Sequence, residues 1–273
     1  MTPAEIKSIL ARFGGRANKK LGQHFLIDRS VLAKIMETAD IHPDDRILEV
    51  GPGLGVLTAA LLDFGAEVIA IEQDQRLIDY LVGAYCNTPL RIIHGDAARI
   101  DWMTFVDRRP WKFVSNLPYG ITSLALRKAL WSSHPPIKVV VLVQREVAER
   151  SIAKDGKTSL LSLMVALASS SAGIVKRVPA GAFFPPPKVE SAILEIVPLK
   201  IEDRMQKWGM DPEKIMELAK RGFAHPRKLL ASNLQLKADD RLLFKTIGIN
   251  ERARSEDLSP EDWARLAKAL SIR

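Results

Sequence analysis

From about residue 45 onward, short runs of β-branched and other apolar residues alternate with helix-length segments. The runs Arg46–Val50, Glu67–Glu72, Arg91–His94, Lys112–Ser115, Lys138–Val143 and Val189–Val197 predict strands. The intervening segments 56–64, 74–84, 121–132, 144–153 and 158–169 predict helices. Such alternation builds a mainly parallel sheet with helices on both faces, because every parallel connection has to cross back over the sheet. The last run differs. It follows Pro185, Pro186 and Pro187 after a short strand near Ile174–Val178, so an antiparallel hairpin is expected to close the sheet edge. After Pro198 only helical patterning remains, with Asp211–Pro212 and Ser259–Pro260 each reading as an N-cap followed by proline in the first turn. Three parts are therefore expected: an N-terminal segment (1–30), an α/β domain (31–198) and a small all-α domain (199–273).

Composition narrows this picture. With 47% hydrophobic and 26% charged residues over 273 positions, the chain can fill a core and does not have the balance of a disordered one. A single cysteine, Cys86, cannot form an internal disulfide, which favours a reducing compartment; no Cys-rich metal site exists and no metal is expected. The N-terminus carries Glu5, Lys7, Arg12, Arg16, Lys19 and Lys20 with no apolar block between them, so no secretory signal is expected and the cytoplasm is the expected location. The uncharged stretch Thr158–Val175 is broken by several serines and Gly173, which predicts a buried helix and no membrane span. Nothing resembles a coiled coil or a large apolar stripe, and a monomer is expected. The net charge of +8 is uneven: residues 1–30 and 199–273 each carry +4, and residues 31–198 are neutral. A neutral centre between basic flanks suits a small-molecule site with grips for a polyanion, nucleic acid first among them; a merely solvated basic surface is the alternative.

Strand 47–50 runs directly into Gly51-Pro52-Gly53-Leu54-Gly55 and then a helix. Glycines at this junction let the backbone approach a ligand at the carboxyl ends of the strands. Glu72 ends the next strand, 21 residues after Gly51, where a carboxylate takes the two hydroxyls of a ribose. An adenosine derivative follows, but not a dinucleotide, because the position of the third fingerprint glycine is Val56. Asp96, at the end of the third strand, adds a carboxylate that would suit an adenine amino group or a cation and repel phosphate. S-adenosylmethionine, a sulfonium with a ribose and no phosphate, fits best.

The fourth strand ends in Ser115-Asn116-Leu117-Pro118-Tyr119-Gly120. An exocyclic amine on a base has its lone pair delocalised into the ring. It attacks a methyl group only if acceptors pull on its N–H bonds and make the nitrogen tetrahedral. The Asn116 side-chain oxygen and a backbone carbonyl beside Pro118 would be those acceptors, with Tyr119 stacking on the base. No strong general base is needed, since the proton leaves an already cationic amine.

Taken together, these residues identify a family. Leu21-Gly22-Gln23-His24-Phe25-Leu26, the Gly51–Gly55 turn, Glu72, Gly95-Asp96, Asn116–Tyr119, Gln144-Arg145-Glu146 and Phe183 through Ser191 stand in an order that resembles the ribosomal RNA adenine N6-dimethyltransferases over nearly the whole chain. The resemblance implies a Rossmann-like class I methyltransferase sheet, mainly parallel with its last strand antiparallel, carrying a small all-α C-terminal domain that binds RNA. It implies transfer of two methyl groups from S-adenosylmethionine to each of two adjacent adenines in the hairpin loop near the 3′ end of small-subunit (16S) rRNA, within an assembling 30S particle. By the family pattern Gln23, His24, Leu26, Gly51, Gly53, Glu72, Asp96 and Asn116 line the cofactor site; position 24 is often Asn in relatives. Phe183 is expected to sandwich the extruded base against Tyr119, with Phe184 as the alternative; stacking of this kind is worth about 1–3 kcal/mol per base. Arg16, Lys19 and Lys20 before the cofactor motif, and Arg221, Arg227 and Lys228 in the C-terminal domain, would hold phosphates without reading sequence. A large-subunit rRNA or DNA adenine methyltransferase, a non-catalytic RNA-binding assembly factor and, more remotely, an oxidoreductase remain the competing readings.

Overall fold

A computed structural model describes residues 1–13, 15–18, 21–106, 108–153, 156–236 and 243–271. The chain divides into two compact units, one comprising Met1–Ala148 with Gly173–Pro198 and the other Glu149–Ala172 with Leu199–Arg273.

The first unit holds strands β1 (Phe25–Leu26), β2 (Arg46–Val50), β3 (Glu67–Glu72), β4 (Leu90–His94), β5 (Trp111–Asn116), β6 (Lys138–Gln144), β8 (Phe183–Phe184) and β9 (Ser191–Pro198), while β7 (Ser169–Val178) runs into it from the second. Its main sheet has the order β4-β3-β2-β5-β6-β9-β7. Strands β2 to β6 pair in parallel and β9 pairs antiparallel with β6, Val143 opposite Ala192. The helices of this unit are α1 (Pro3–Arg12), α2 (Arg29–Ala39), α3 (Val56–Asp63), α4 (Gln75–Ala84) and α5 (Thr122–Leu130); α6 (Arg145–Ser151) leads out of it. Central strands such as Lys138–Gln144 read as nearly continuous apolar runs because both faces are covered; Val139 to Val143 are all fully buried. The order of connection reverses between β2 and β5, so the chain moves away on both sides and leaves a crevice at their carboxyl ends.

Two helices that hydrophobic periodicity alone does not predict lie N-terminal to the sheet. In α1, Thr2 and Glu5 form a capping box and Ile6 and Leu10 pack on Phe25, Leu54 and Leu77. In α2, Asp28 caps the backbone N–H groups of Ser30 and Val31, and Val31 and Ile35 enter the main core.

The second unit contains α7 (Leu160–Ala168), α8 (Ile201–Trp208), α9 (Pro212–Gly222), α10 (Leu230–Asn233) and α11 (Pro260–Ser271). The expected uninterrupted block 31–198 is thus corrected. Helix α7 is apolar nearly all round and requires cover on several sides, which α8, α9 and α11 supply; Trp208 Nε1 also donates to the Leu167 carbonyl at 3.0 Å. The Asp211 and Ser259 caps stand where the sequence places them, Ser259 Oγ accepting from Asp262 N at 3.1 Å. Among the described residues no helix is long and apolar enough to cross a membrane.

Candidate active site

The crevice at the ends of β2 and β5 is a cavity lined by the 21–26 segment, Glu49, the 51–54 turn, Val56, Leu57, Glu72, Gln73, Leu77 and Asn116–Tyr119. Its floor is the glycine turn. Gly51, Gly53 and Gly55 have φ of 71°, 61° and 75°, a left-handed backbone that side chains strain. A Cβ on Gly51 would also come within 3.0 Å of Pro118, and one on Gly53 within 3.2 Å of the Phe25 ring. The turn is therefore packed closely against Pro118 and the N-terminal segment, and its left-handed backbone strains any residue but glycine.

Glu72 organises this floor. It is 6% exposed, one oxygen accepting from Gly53 N at 3.3 Å and the other from Gln73 N at 2.8 Å and Asp74 N at 2.9 Å. Burial pushes its carboxyl up, while the three N–H donors pull it back towards the ionised form. Glu49 lies two residues before Gly51, 1% exposed, with Thr58 Oγ1 donating to its Oε2 at 2.7 Å. Desolvation carries its pKa to about 8, with the Thr58 hydroxyl opposing the rise and Glu72 adding to it.

The Asn116 amide is oriented by its Nδ2, which donates to the His24 carbonyl at 3.2 Å. Its Oδ1 remains as the acceptor the chemistry asks for. The Pro118 carbonyl accepts from Ile121 N at 3.1 Å. Tyr119 Oη shares a 2.7 Å hydrogen bond with Ser191 Oγ; burial raises the phenol and outweighs the opposing effect of that bond, so it holds its proton and serves as a ring. The His24 ring stacks on the Tyr119 ring at 5.7 Å and 25°. His24 Nδ1 donates to the Pro185 carbonyl at 2.7 Å, which places a hydrogen on that nitrogen.

Of the expected cofactor residues, Gln23, His24, Leu26, Gly51, Gly53, Glu72 and Asn116 line the cavity together. Gln23 has a structural task there: its Nε2 donates to Asp74 at 2.9 Å and its Oε1 accepts from Asn18 N at 2.6 Å, latching the loop to the Asp74–Arg76 ion pair. Asp96 is not in the lining. It caps its own turn, Oδ1 accepting from Ala98 N at 2.9 Å and Oδ2 lying 3.4 Å from Arg99 Nε. Phe183 is corrected: β8 pairs with β1 so that Phe183 faces Leu26, and its ring is 2% exposed inside the main core, closed to a base. Alternation along the strand turns Phe184 to the other side, where it packs beside Phe25 and Ile6 with Lys7 Nζ 5.4 Å from its ring centroid. Sequence reasoning misses Glu49, Gln73 and the Tyr119–Ser191 bond. A charged residue inside an otherwise apolar strand is the available signal for the first.

Among the basic residues, Arg16 is exposed in the first unit, while Lys19 and Lys20 lie outside the described residues. Arg221, Arg227 and Lys228 share the second unit and are exposed; Arg221 also donates to the Leu234 carbonyl at 3.3 Å.

The model of the ribosomal RNA adenine dimethylases matches residues 14–271. The chain belongs to that family. It is 40% identical over 270 residues to Ribosomal RNA small subunit methyltransferase A of Dehalococcoides mccartyi strain BAV1, covering 96% of this chain and 91% of the relative. Among solved structures it resembles a dimethyladenosine transferase from Plasmodium falciparum, with TM-score 0.71 and 26% identity over 89% of this chain and 96% of that one. It also resembles the 23S rRNA methyltransferase ErmE, with TM-score 0.68 and 28% identity over 90% and 99%. The fold is that of class I methyltransferases, and this dimethylase is an S-adenosylmethionine-dependent enzyme. The cavity fits that cofactor: among the described residues its lining carries Glu49 and Glu72 and no lysine or arginine, a charge balance suited to a cation without phosphate.

Proposed function

We propose that this dimethylase modifies the N6 amines of two adjacent adenines in the 3′-terminal hairpin loop of small-subunit rRNA, acting as a cytoplasmic monomer on an assembling 30S particle. The observation that carries the amine chemistry is the Asn116–Tyr119 lip, where an amide held by the His24 carbonyl presents an oxygen beside the glycine turn. Bound S-adenosylmethionine supplies an electrophilic methyl on sulfonium. Asn116 Oδ1 and a backbone carbonyl beside Pro118 accept the two N–H bonds of the adenine amine and localise its lone pair for attack. Tyr119, tethered to Ser191, offers a ring to the extruded base. Leu26, Glu72 and the Gly51 and Gly53 backbone would hold the cofactor, with His24 at the junction of both sites. Neither Phe183, closed in the main core, nor Phe184, packed beside Phe25 and Ile6, lines the cavity with Tyr119, so Tyr119 is the one aromatic of the pair assigned to the base.

The small subunit is favoured over the large because relatives 36–40% identical over more than nine-tenths of this chain are small-subunit enzymes by name. The test is incorporation of labelled methyl groups into isolated, unmethylated 30S and 50S particles, followed by mapping of the modified adenines. Label confined to two neighbouring adenines near the 3′ end of 16S rRNA is expected; label in 23S rRNA alone would overturn the substrate assignment.

Phosphate contacts of the second unit give a separate prediction. Changing Arg227 and Lys228 to alanine together should weaken rRNA binding and flatten the dependence of log K on log salt by about 0.7–0.9 per lost contact. Titrations between low and physiological salt check this, and an unchanged slope would remove both residues from the interface.

A further inference from the structure

The carboxyl of Glu49 is in an unusual place. It lines the cofactor cavity from within β2, the Thr58 hydroxyl is its one hydrogen-bond donor among the described residues, and no ion pair from those residues reaches it. The titratable groups around it are Glu72 from the end of β3, Tyr85 after α4, and His24 and Tyr119 in the same lining; none of them is a fixed cation. A buried carboxylate without a countercharge is expensive, so such a group takes up a proton until a cation arrives. Its neighbour is placed differently. Glu72 receives three backbone N–H bonds that favour its charged form. Two carboxyls in one cavity thereby differ: both are raised by burial, but only Glu72 has backbone N–H donors that oppose the rise three times over, while Glu49 has the Thr58 hydroxyl alone.

We infer that Glu49 reads the charge of the cofactor: it is protonated in the free site, ionises to face the cationic sulfonium donor, and is protonated again when the neutral thioether product occupies the cavity, so the site favours donor over product. The inference rests on the S-adenosylmethionine dependence established above and adds to it a specificity role for a residue outside the acceptor and ribose contacts. Donor and product share the same ammonium and carboxylate, which cancel, and differ by the unit charge on sulfur. The proton that leaves Glu49 on donor binding passes to the solvent, where a buffer takes it up. Its pKa of about 8 means that the free site holds this proton at pH 7.

The test is calorimetry on the full chain at pH 7 in two buffers of different ionisation enthalpy, with S-adenosylmethionine, S-adenosylhomocysteine and sinefungin, in which an ammonium replaces the sulfonium. The expected result is release of about 0.9 proton with each of the two cationic ligands, the fraction protonated one pH unit below the pKa, and clearly less with the thioether. Glu49→Gln keeps the shape and an acceptor for Thr58 while removing the ionisation. It should abolish proton release and weaken S-adenosylmethionine by about tenfold with little change for S-adenosylhomocysteine. Equal release with all three ligands, no release with the donor, or persistence of release in the variant would overturn the role of Glu49. The ligand comparison uses the unaltered chain, so its outcome does not depend on how the variant folds. Absence of binding by every ligand would overturn the cofactor dependence itself, a result distinct from binding without proton transfer.

Discussion

Asn116→Ala is expected to abolish methyl transfer, lowering kcat by at least about 100-fold, the usual loss on deleting one preorganised partner of a transition state. The amide oxygen contributes nothing to a planar adenine amine that it does not also contribute to a pyramidal one, except that the N–H bonds become more acidic as the nitrogen turns cationic. Its hydrogen bond therefore strengthens as the barrier is climbed, and its loss falls on kcat. Asn116 also pins the His24 carbonyl through Nδ2 at 3.2 Å. Losing that neutral bond should cost S-adenosylmethionine affinity about tenfold or less. Single-turnover rates at saturating cofactor, with a separate binding titration, divide the two effects. Near-normal turnover would contradict the acceptor role.

Glu72→Gln should reduce S-adenosylmethionine affinity by about 100-fold, because one hydrogen bond to a charged acceptor, worth about 1.5–3 kcal/mol, is replaced by a repulsion. The carboxylate accepts on both oxygens, from Gly53 N on one side and from Gln73 N and Asp74 N on the other. Whichever way the glutamine amide is turned, its NH2 group faces a backbone N–H. The glycine turn loses its anchor and the ribose hydroxyls lose an acceptor. Calorimetric titration measures the loss, and a thermal midpoint within about 5 °C of the parent separates failed binding from failed folding. Unaltered affinity would remove Glu72 from the cofactor site.

Which parts of this arrangement are readable along the chain follows from how far apart the deciding atoms are. The strand ends that carry Gly51, Glu72 and Asn116 are local features. An apolar run, a left-handed glycine or a Pro-Tyr turn declares itself within a few residues, and the rule for parallel sheets then brings the strand ends to one crevice. The helices α1 and α2 have local signals too, a capping box at Thr2 and Glu5 and a cap at Asp28, but these are short helices whose apolar faces become meaningful only against Phe25, Leu54 and the main core. Phe183 and Phe184 cannot be separated by sequence. A one-residue change of register exchanges the buried ring for the half-buried one, and that register is set by pairing with Phe25 and Leu26, more than 150 positions away.

By itself, then, the sequence determines a parallel α/β sheet with a helical appendage, a glycine turn feeding a carboxylate 21 residues on, and an amide beside a tyrosine at the end of the fourth strand, because backbone preferences and spacing act over short distances. Tertiary structure alone decides that α7 joins the second unit, that Gln23 latches a loop to Asp74 and that Glu49 faces the cavity with no cation from the described residues beside it. Those outcomes depend on burial and on charges meeting through space, and neither is a property of neighbouring positions in the chain.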